Sequence, residues 1–360
     1  MKTMMLSTVA AFALTGAALA DEVRVYNWSD YIDEALLEKF EQETGLELIY
    51  DVFDSNEVLE TKMLAGSSGY DVVVPSGTFL QRQISAGAFQ KLDTSKLSNA
   101  QNLWEVVEAR TAQYDPDNAY SINYMWGTTG IGVNVGKVQE ILGDDAPMGS
   151  LDLIFDPSNM EKLASCGVHF LDAPTEMIPA ALKYIGEDPD SHDPEVLAKA
   201  EPILMGVRPH VTKFHSSEYI NALANGDICV AFGWAGDILQ ARDRAAEAEN
   251  GVEIAYNAPS EGALMWFDQM AIPADAPNPE GAHMFLDFIM DAQNMAQASN
   301  YVYYANGNLA SQEFLVEDVI GDPAIYPDEA TLENLYTTTP YPARVQRTVT
   351  RMWTKIKSGT

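Results

Sequence analysis

Three tryptophans in this chain stand a short step ahead of an aspartate. Trp28 comes two residues before Asp30, Trp234 three before Asp237, and Trp266 two before Asp268. A carboxylate beside an indole suits a primary ammonium group. The charge needs a counter-ion, because an unpaired buried ion is very costly. The methylenes behind it need an apolar wall, and an indole face adds cation–π attraction of about 0.5–2 kcal/mol. Charge-assisted hydrogen bonds from –NH₃⁺ to aspartate add about 1.5–3 kcal/mol each. A linear diamine needs this at both ends, with an aromatic corridor between. Sugars also stack on tryptophan, but they call for more Asn, Gln and Arg and do not need unpaired acids. The competing reading is that tryptophans pack in cores and that Asp30 and Asp237 cap helices; three such pairs weigh against it.

Other chemistries fail on spacing. Gly130-x-Gly132 is followed by Gly136, one residue beyond a dinucleotide fingerprint, and Gly136-Lys137 lacks the Ser/Thr and glycine spacing of a P-loop. Gly66-Ser67-Ser68-Gly69 does not fit G-x-S-x-G. His169, His192, His210, His215 and His283 are scattered, with no i, i+4 pair for zinc. Tyr303-Tyr304 suggests ferric iron, but adjacent strand residues point to opposite faces. No cofactor and no metal are expected.

Charge narrows the partners further. Lys and Arg number 21 against 53 Asp and Glu, a formal net charge of −32. A phosphate backbone needs a positive face, so nucleic acid is excluded, and an anionic membrane would repel the chain. Cations are the natural ligand class, although most of the charge reads as a solvated coat.

The elements that must position these residues are legible in the N-terminal half. Val23–Asn27 reads as a strand and Asp33–Thr44 as a helix, with Ile32, Leu36 and Phe40 four apart and Gly45 as a stop. Leu46, Leu48, Tyr50 and Val52 alternate as a second strand. Ser55 caps a helix to about Ala65, and Tyr70–Val74 reads as a buried strand ended by Pro75. This β-α-β-α-β run opens a doubly wound sheet, where ligands bind beyond the carboxyl ends of parallel strands. The rule sends Trp28, Ser29, Asp30 and Ser76 into one crevice. Gly127–Gly136 reads as a crossing between lobes. Farther on, strands at 168–171 and 228–232, with a helix over 217–225, bring Glu176, Trp234 and Asp237 to carboxyl ends of a second lobe. A helix is expected over Glu280–Met290.

Residues 1–20 read as an export leader: Lys2, an apolar run from Met4 to about Leu14, and a small-x-small site at Ala18-Leu19-Ala20. Export would place Cys166 and Cys229 in an oxidising compartment, where one disulfide is the default and two small buried hydrophobes the alternative.

Long motifs carry a resemblance: YNWSDYI at 26–32, YDVFDSNEVLE at 50–60, VVPSGTFLQRQ at 73–83, YMWGTTGIG at 124–132, LDAPTE at 171–176, FHSSEYIN at 214–221, LANGDICVAFGWAGD at 223–237 and YYANGN at 303–308. Over essentially the whole mature chain the sequence resembles the periplasmic polyamine-binding proteins of bacterial ABC importers, most nearly the putrescine-binding branch. The resemblance implies an α/β, two-lobed periplasmic binding protein (type II-like). Each lobe would be a mainly parallel sheet flanked by helices, with ligand in the cleft. It implies pocket roles for Trp28, Ser29, Asp30, Ser76, Glu176 (through water), Trp234, Asp237, Trp266, Asp268 and, newly, Tyr304. It also matches Cys166 and Cys229 to the family's cysteine positions, which favours a disulfide.

The chain departs from the pattern at Trp266, where the putrescine branch is expected to carry Phe, and at Gly77-Thr78. A larger indole shortens or reshapes the corridor. The expected organisation is a leader at 1–20, an N-terminal lobe from 21–133 with 258–305 returning to it, and a C-terminal lobe from 134–257 completed by 306–360. The expected function is a non-enzymatic, monomeric periplasmic receptor for putrescine, with cadaverine or spermidine as relatives, passing ligand to the membrane permease of an ABC importer. The alternatives are an exported hydrolase with a glycosidase-like pair among Asp30, Glu176, Asp237 and Asp268, or a receptor for another cationic solute.

Overall fold

The computed structural model describes residues 22–359, so the leader at 1–20 lies outside the described residues. Local signals set the first elements. Strand β1 (Glu22–Trp28) leads into helix α1 (Glu34–Thr44). The Asp33 side chain caps α1 at the Ala35 N–H, and Gly45 ends it in the left-handed region. Strand β2 (Glu47–Phe53) leads into α2 (Asn56–Ala65), capped by Ser55. β3 is shorter than its apolar run suggests, only Val72–Val73. Asp71 contributes to this: it is buried, its backbone N–H donates to the Arg24 carbonyl at 2.7 Å, but its carboxylate rather than a strand carbonyl accepts the Arg24 N–H at 2.8 Å. Val52, one of the alternating apolar residues of β2, is 52% exposed on the outermost strand of the sheet.

β1 pairs in parallel with both β2 and β3, so the expected crevice beyond their carboxyl ends exists. Ser76 follows as the residue before α3 (Gly77–Ser85). β4 (Ser121–Asn134) is the spine of the molecule, buried at all 14 positions. The second lobe contributes β5 (Val168–Phe170), β6 (Lys213–Phe214), β7 (Val230–Trp234) and β8 (Ile254–Asn257). β9 (Leu264–Ala271) pairs with β3 and β4, and β10 (Ala305–Asn306) pairs with β4. The sheet order is β2-β1-β3-β9-β4-β7-β5-β6, with β8 and β10 also pairing with β4.

The sheet is mixed. β5 pairs in parallel with β6 and β7, as expected. The centre is antiparallel: β4 carries the chain out of the first lobe and β9 carries it back, so the two run in opposite senses along one long ladder. β4 pairs with β9 from Ser121 to Thr129 and with β7 from Thr129 to Val133. The glycine-rich stretch is thus the crossing itself. At Gly127 a Cβ would lie 2.8 Å from the Trp266 ring and 2.9 Å from the Tyr304 ring, so only glycine lets both aromatics approach the spine.

Among the described residues two large hydrophobic cores flank the spine, with a smaller third around Tyr114, Trp126 and Phe267. One gathers Val23, Val25, Leu36, Phe40, Val72, Tyr124, Phe285 and Tyr304. The other gathers Ile131, Val133, Val168, Phe170, Met177, Tyr219, Val230 and Trp353. The helix expected near Glu280–Met290 is Pro279–Ile289, and the one expected at 217–225 is Tyr219–Ala224. β7 begins two residues later than expected, because its partner Val133 on β4 pairs with Val230, and it runs through Trp234.

Cys166 and Cys229 form a disulfide with Cα atoms 5.5 Å apart across 63 residues of chain. Replacing both with alanine should cost about 2–4 kcal/mol of stability, read by urea unfolding. Equal stability of the variant would show that the bridge adds nothing to this core.

Candidate functional site

The cavity between the cores, about 470 Å³ including its mouth, is lined by Trp28, Ser29, Ser76, Glu176, Trp234, Asp237, Trp266, Asp268 and Tyr304 among others. Strand ends account for most of these. β1 ends at Trp28, β7 ends at Trp234, and β9 carries Trp266 and Asp268. The Trp28 indole N–H donates to the Val74 carbonyl at 2.9 Å, and its ring meets Trp234 edge-on at 5.5 Å. Trp266 meets Tyr304 at 5.2 Å, and Tyr304 meets Tyr31 at 5.4 Å. The walls are therefore aromatic and come from both lobes.

Asp30 does not line the cavity. It stands in the turn after β1 with φ +54°, which swings its side chain away from the direction Trp28 takes. Its carboxylate instead meets the Arg244 guanidinium at 2.8 Å, a partly exposed pair that ties the N-terminal lobe to the helix Ala235–Glu247. The aromatic–acid spacing led to the wrong role here, because a positive φ between two residues breaks any rule about which side both face.

Each of the other two aspartates is held by two hydroxyl groups. Tyr219 Oη donates to Asp237 Oδ2 at 2.6 Å and Tyr304 Oη to Asp237 Oδ1 at 2.8 Å. Tyr219 belongs to one core and Tyr304 to the other, so this carboxylate fastens both lobes. Asp237 sits in the first turn of its helix, where the helix dipole favours an anion. Ser76 Oγ donates to Asp268 Oδ1 at 2.6 Å and Tyr31 Oη to Oδ2 at 2.8 Å. Asn56 braces Ser76 from both sides, its Nδ2 donating to Ser76 Oγ at 2.9 Å and its Oδ1 accepting the Ser76 N–H at 3.0 Å. Glu176 Oε2 accepts from Thr129 Oγ1 at 2.7 Å.

Burial dominates the electrostatics. It pushes Asp237 up to about 6, against the opposing hydrogen bonds from Tyr219 and Tyr304. It pushes Asp268 up to about 7 despite Ser76 and Tyr31, with Asp237 adding repulsion. Glu176 also rises to about 7, burial first, with Asp268 and Glu57 adding repulsion. Among the described residues no lysine or arginine lines the cavity. Two buried carboxylates and the half-buried Glu176, without a basic side chain among them, form a site suited to a cation.

Several lining residues escaped the sequence reading: Tyr31, Asp54, Asn56, Ser216 and Ser217. Asp54 and the two serines follow β2 and β6, so the strand-end rule could have found them. Tyr31 and Asn56 carried no such signal, since each acts by holding another side chain. Ser216 Oγ and Trp266 Nε1 are buried without a hydrogen-bond partner in the structure, polar atoms free to meet a ligand or its water.

The family described as bacterial extracellular solute-binding protein matches residues 35–327. The putrescine-binding periplasmic protein SpuD of Pseudomonas aeruginosa (strain UCBPP-PA14) is 52% identical over 360 residues, 99% of this chain and 98% of that protein. The putrescine-binding periplasmic protein PotF of Escherichia coli (strain K12) is 49% identical over 346 residues, 96% of this chain and 94% of that protein. Among solved structures, a putative spermidine/putrescine ABC transporter from Listeria monocytogenes superposes with a TM-score of 0.83 at 31% identity, covering 94% of this chain and 99% of that one.

The buried carboxylates predict a pH trend for the ligand-free protein. Their folded pKa values lie above those of the unfolded chain, so between about pH 4 and 7 the folded state holds more protons. Stability must then fall as pH rises through that window and level off above it. Chemical unfolding without ligand should lose at least about 1 kcal/mol between pH 5 and pH 8, and Asp268→Asn should flatten the slope. A rise in stability over this range would contradict the assignment.

Proposed function

The chain belongs to the bacterial extracellular solute-binding protein family, and we propose that it is the receptor for putrescine or a closely related aliphatic polyamine, delivering it to an ABC importer. One observation carries this reading: Asp237 and Asp268 are buried in one aromatic cavity, each oriented by two hydroxyl donors, with no basic side chain among the described residues that line it. The names of SpuD and PotF support putrescine within the cationic class.

In this reading Asp237 and Asp268 each take one ammonium of the ligand. Trp28, Trp234, Trp266 and Tyr304 enclose the methylenes, Ser29 and Ser76 add polar contacts, and Glu176 acts through water. The hydroxyls of Tyr219, Tyr304, Tyr31 and Ser76 hold the carboxylates in position before ligand arrives, which lowers the ordering cost of binding. Asp30 acts at the rim through Arg244 rather than on the ligand. Both aspartates are fixed as hydrogen-bond acceptors, an arrangement that holds a cation without reacting with it. We read the protein as a binding protein and not an enzyme. It would be exported to the periplasm through the leader at 1–20, would act as a monomer, and would meet the importer's membrane permease as its partner. No helix of the described residues is long and apolar enough to cross a membrane.

Calorimetry with putrescine tests the two-ended model. Asp237→Asn keeps the shape and removes the charge, and should weaken putrescine by roughly 30- to 1000-fold. N-acetylputrescine, with one ammonium masked, should bind far more weakly than putrescine. Parent-like affinity in either case would sink the model. Trp266→Phe should keep putrescine within about tenfold while shifting the preference among putrescine, cadaverine and spermidine, since the wall survives and only its depth changes. An unchanged rank order across those ligands would remove Trp266 as a determinant of length.

A further inference from the structure

Glu57 lies outside the residues that line the cavity, in the first turn of α2, where the N-terminal lobe faces the C-terminal lobe. Leu59 and Met63 anchor α2 in the first core, while Leu171 and Ala173, on either side of Asp172, belong to the second. Among the described residues Glu57 Oε1 is buried without a hydrogen-bond partner, and the carboxyl's one opposing donor is its own backbone N–H. The charged groups around it are all engaged elsewhere or repel it. On its own side Glu60 repels and Arg82 attracts. Arg82, however, is committed: Nε and Nη2 donate to the Glu60 carboxylate at 2.9 and 3.0 Å, and Nη1 donates to Gln346 Oε1 at 3.2 Å on the helix Ala343–Ser358. From the opposite lobe Asp172 repels Glu57, and the repulsion between Glu57 and Glu176 helps to raise Glu176. Asp172 already accepts from Trp353 Nε1 at 2.8 Å and Lys357 Nζ at 2.7 Å.

We propose that Glu57 is a proton-linked brake on lobe closure: the seam shuts over a neutral Glu57 and is held back by an ionised one. With the lobes apart, this carboxylate would meet water. With the lobes together, it loses water and gains two acidic neighbours without gaining a donor. Taking up one proton removes the charge. Burial, the largest cause, pushes the group up to about 7 in the closed form. Closure then takes up a proton at Glu57, while a diamine entering the cavity displaces protons from Asp237 and Asp268. The brake rests on the reading of this protein as a receptor that closes on its ligand.

The test compares Glu57→Gln with the full-length mature parent. Glutamine keeps the size and cannot ionise. The variant should bind putrescine at least about tenfold more tightly than the parent at pH 8, and within about fivefold of it at pH 5, because the cost of the parent's ionised Glu57 grows with pH. Titration of Asp237 and Asp268 is common to both proteins and cancels in the ratio, while the repulsion of Glu176 by Glu57, which the variant removes, acts in the same direction as the brake. Calorimetry near pH 6 in buffers of different ionisation enthalpy should show the variant releasing up to one more proton per putrescine bound. Small-angle scattering without ligand supplies a reading independent of putrescine: at pH 8 the variant should be the more compact, and at pH 5 the two should match. If neither protein binds putrescine but the scattering difference appears, the ligand assignment fails and the brake stands. An affinity ratio that is the same at both pH values, or identical scattering at pH 8, overturns the brake.

Discussion

Asp237 and Asp268 lie buried and Glu176 half-buried in one cavity, Asp268 repelled by Asp237 and Glu176 by Asp268, and desolvation holds the three well above the ordinary carboxylate range. Much of the surrounding structure makes that charge tolerable while keeping it available. Hydroxyl groups of Tyr219, Tyr304, Tyr31, Ser76 and Thr129 supply the hydrogen bonds that water would otherwise give. They orient the carboxylates without neutralising them. A lysine in any of those places would satisfy the charge permanently and leave nothing for a cationic ligand to do.

The aromatic walls answer the other half of the ligand's chemistry, and they depend on the spine. β4 carries glycine where Trp266 and Tyr304 press against it, so the indole and the phenol settle close to the backbone and leave the cavity open. Tyr304 serves twice, as wall and as donor to Asp237. The closed arrangement is held by polar as well as apolar contacts between lobes: Trp28 on Trp234, Asp30 on Arg244, and Asp237 between Tyr219 and Tyr304. Asp237 thus connects ligand capture to closure, since the same carboxylate is proposed to hold the ammonium and is shared between both cores.

Periodicity and punctuation made the first lobe readable. Asp33 and Ser55 before α1 and α2, and Gly45 and Gly66 after them, place both helices to within a residue. The strand-end rule then brought Trp28, Ser29 and Ser76 together without knowledge of any family. The same rule could have reached Asp54, Ser216 and Ser217. Tyr31 and Asn56 lie within the quoted motifs at 26–32 and 50–60, but nothing in residue type told that their part is to hold Asp268 and Ser76. Asp30 was misplaced for a different reason: a left-handed residue in a turn reverses direction in a way that spacing does not record.

By itself the sequence pointed to the proposed ligand class and the kind of site. A strongly acidic chain with tryptophan a short step before aspartate favours an organic cation, and these are properties of residue type and short-range spacing. Tertiary structure decided which acids are buried and which remain at the rim. Asp30 and Asp237 look alike in the chain, yet one is paired with Arg244 in water and the other is sealed between two tyrosines. It also decided that the middle of the sheet runs antiparallel, and that Glu57 faces acids from the opposite lobe. The reason is physical: desolvation and repulsion depend on what the rest of the chain brings near, and some of the groups that matter here are far apart in sequence, Asp30 and Arg244 by 214 residues.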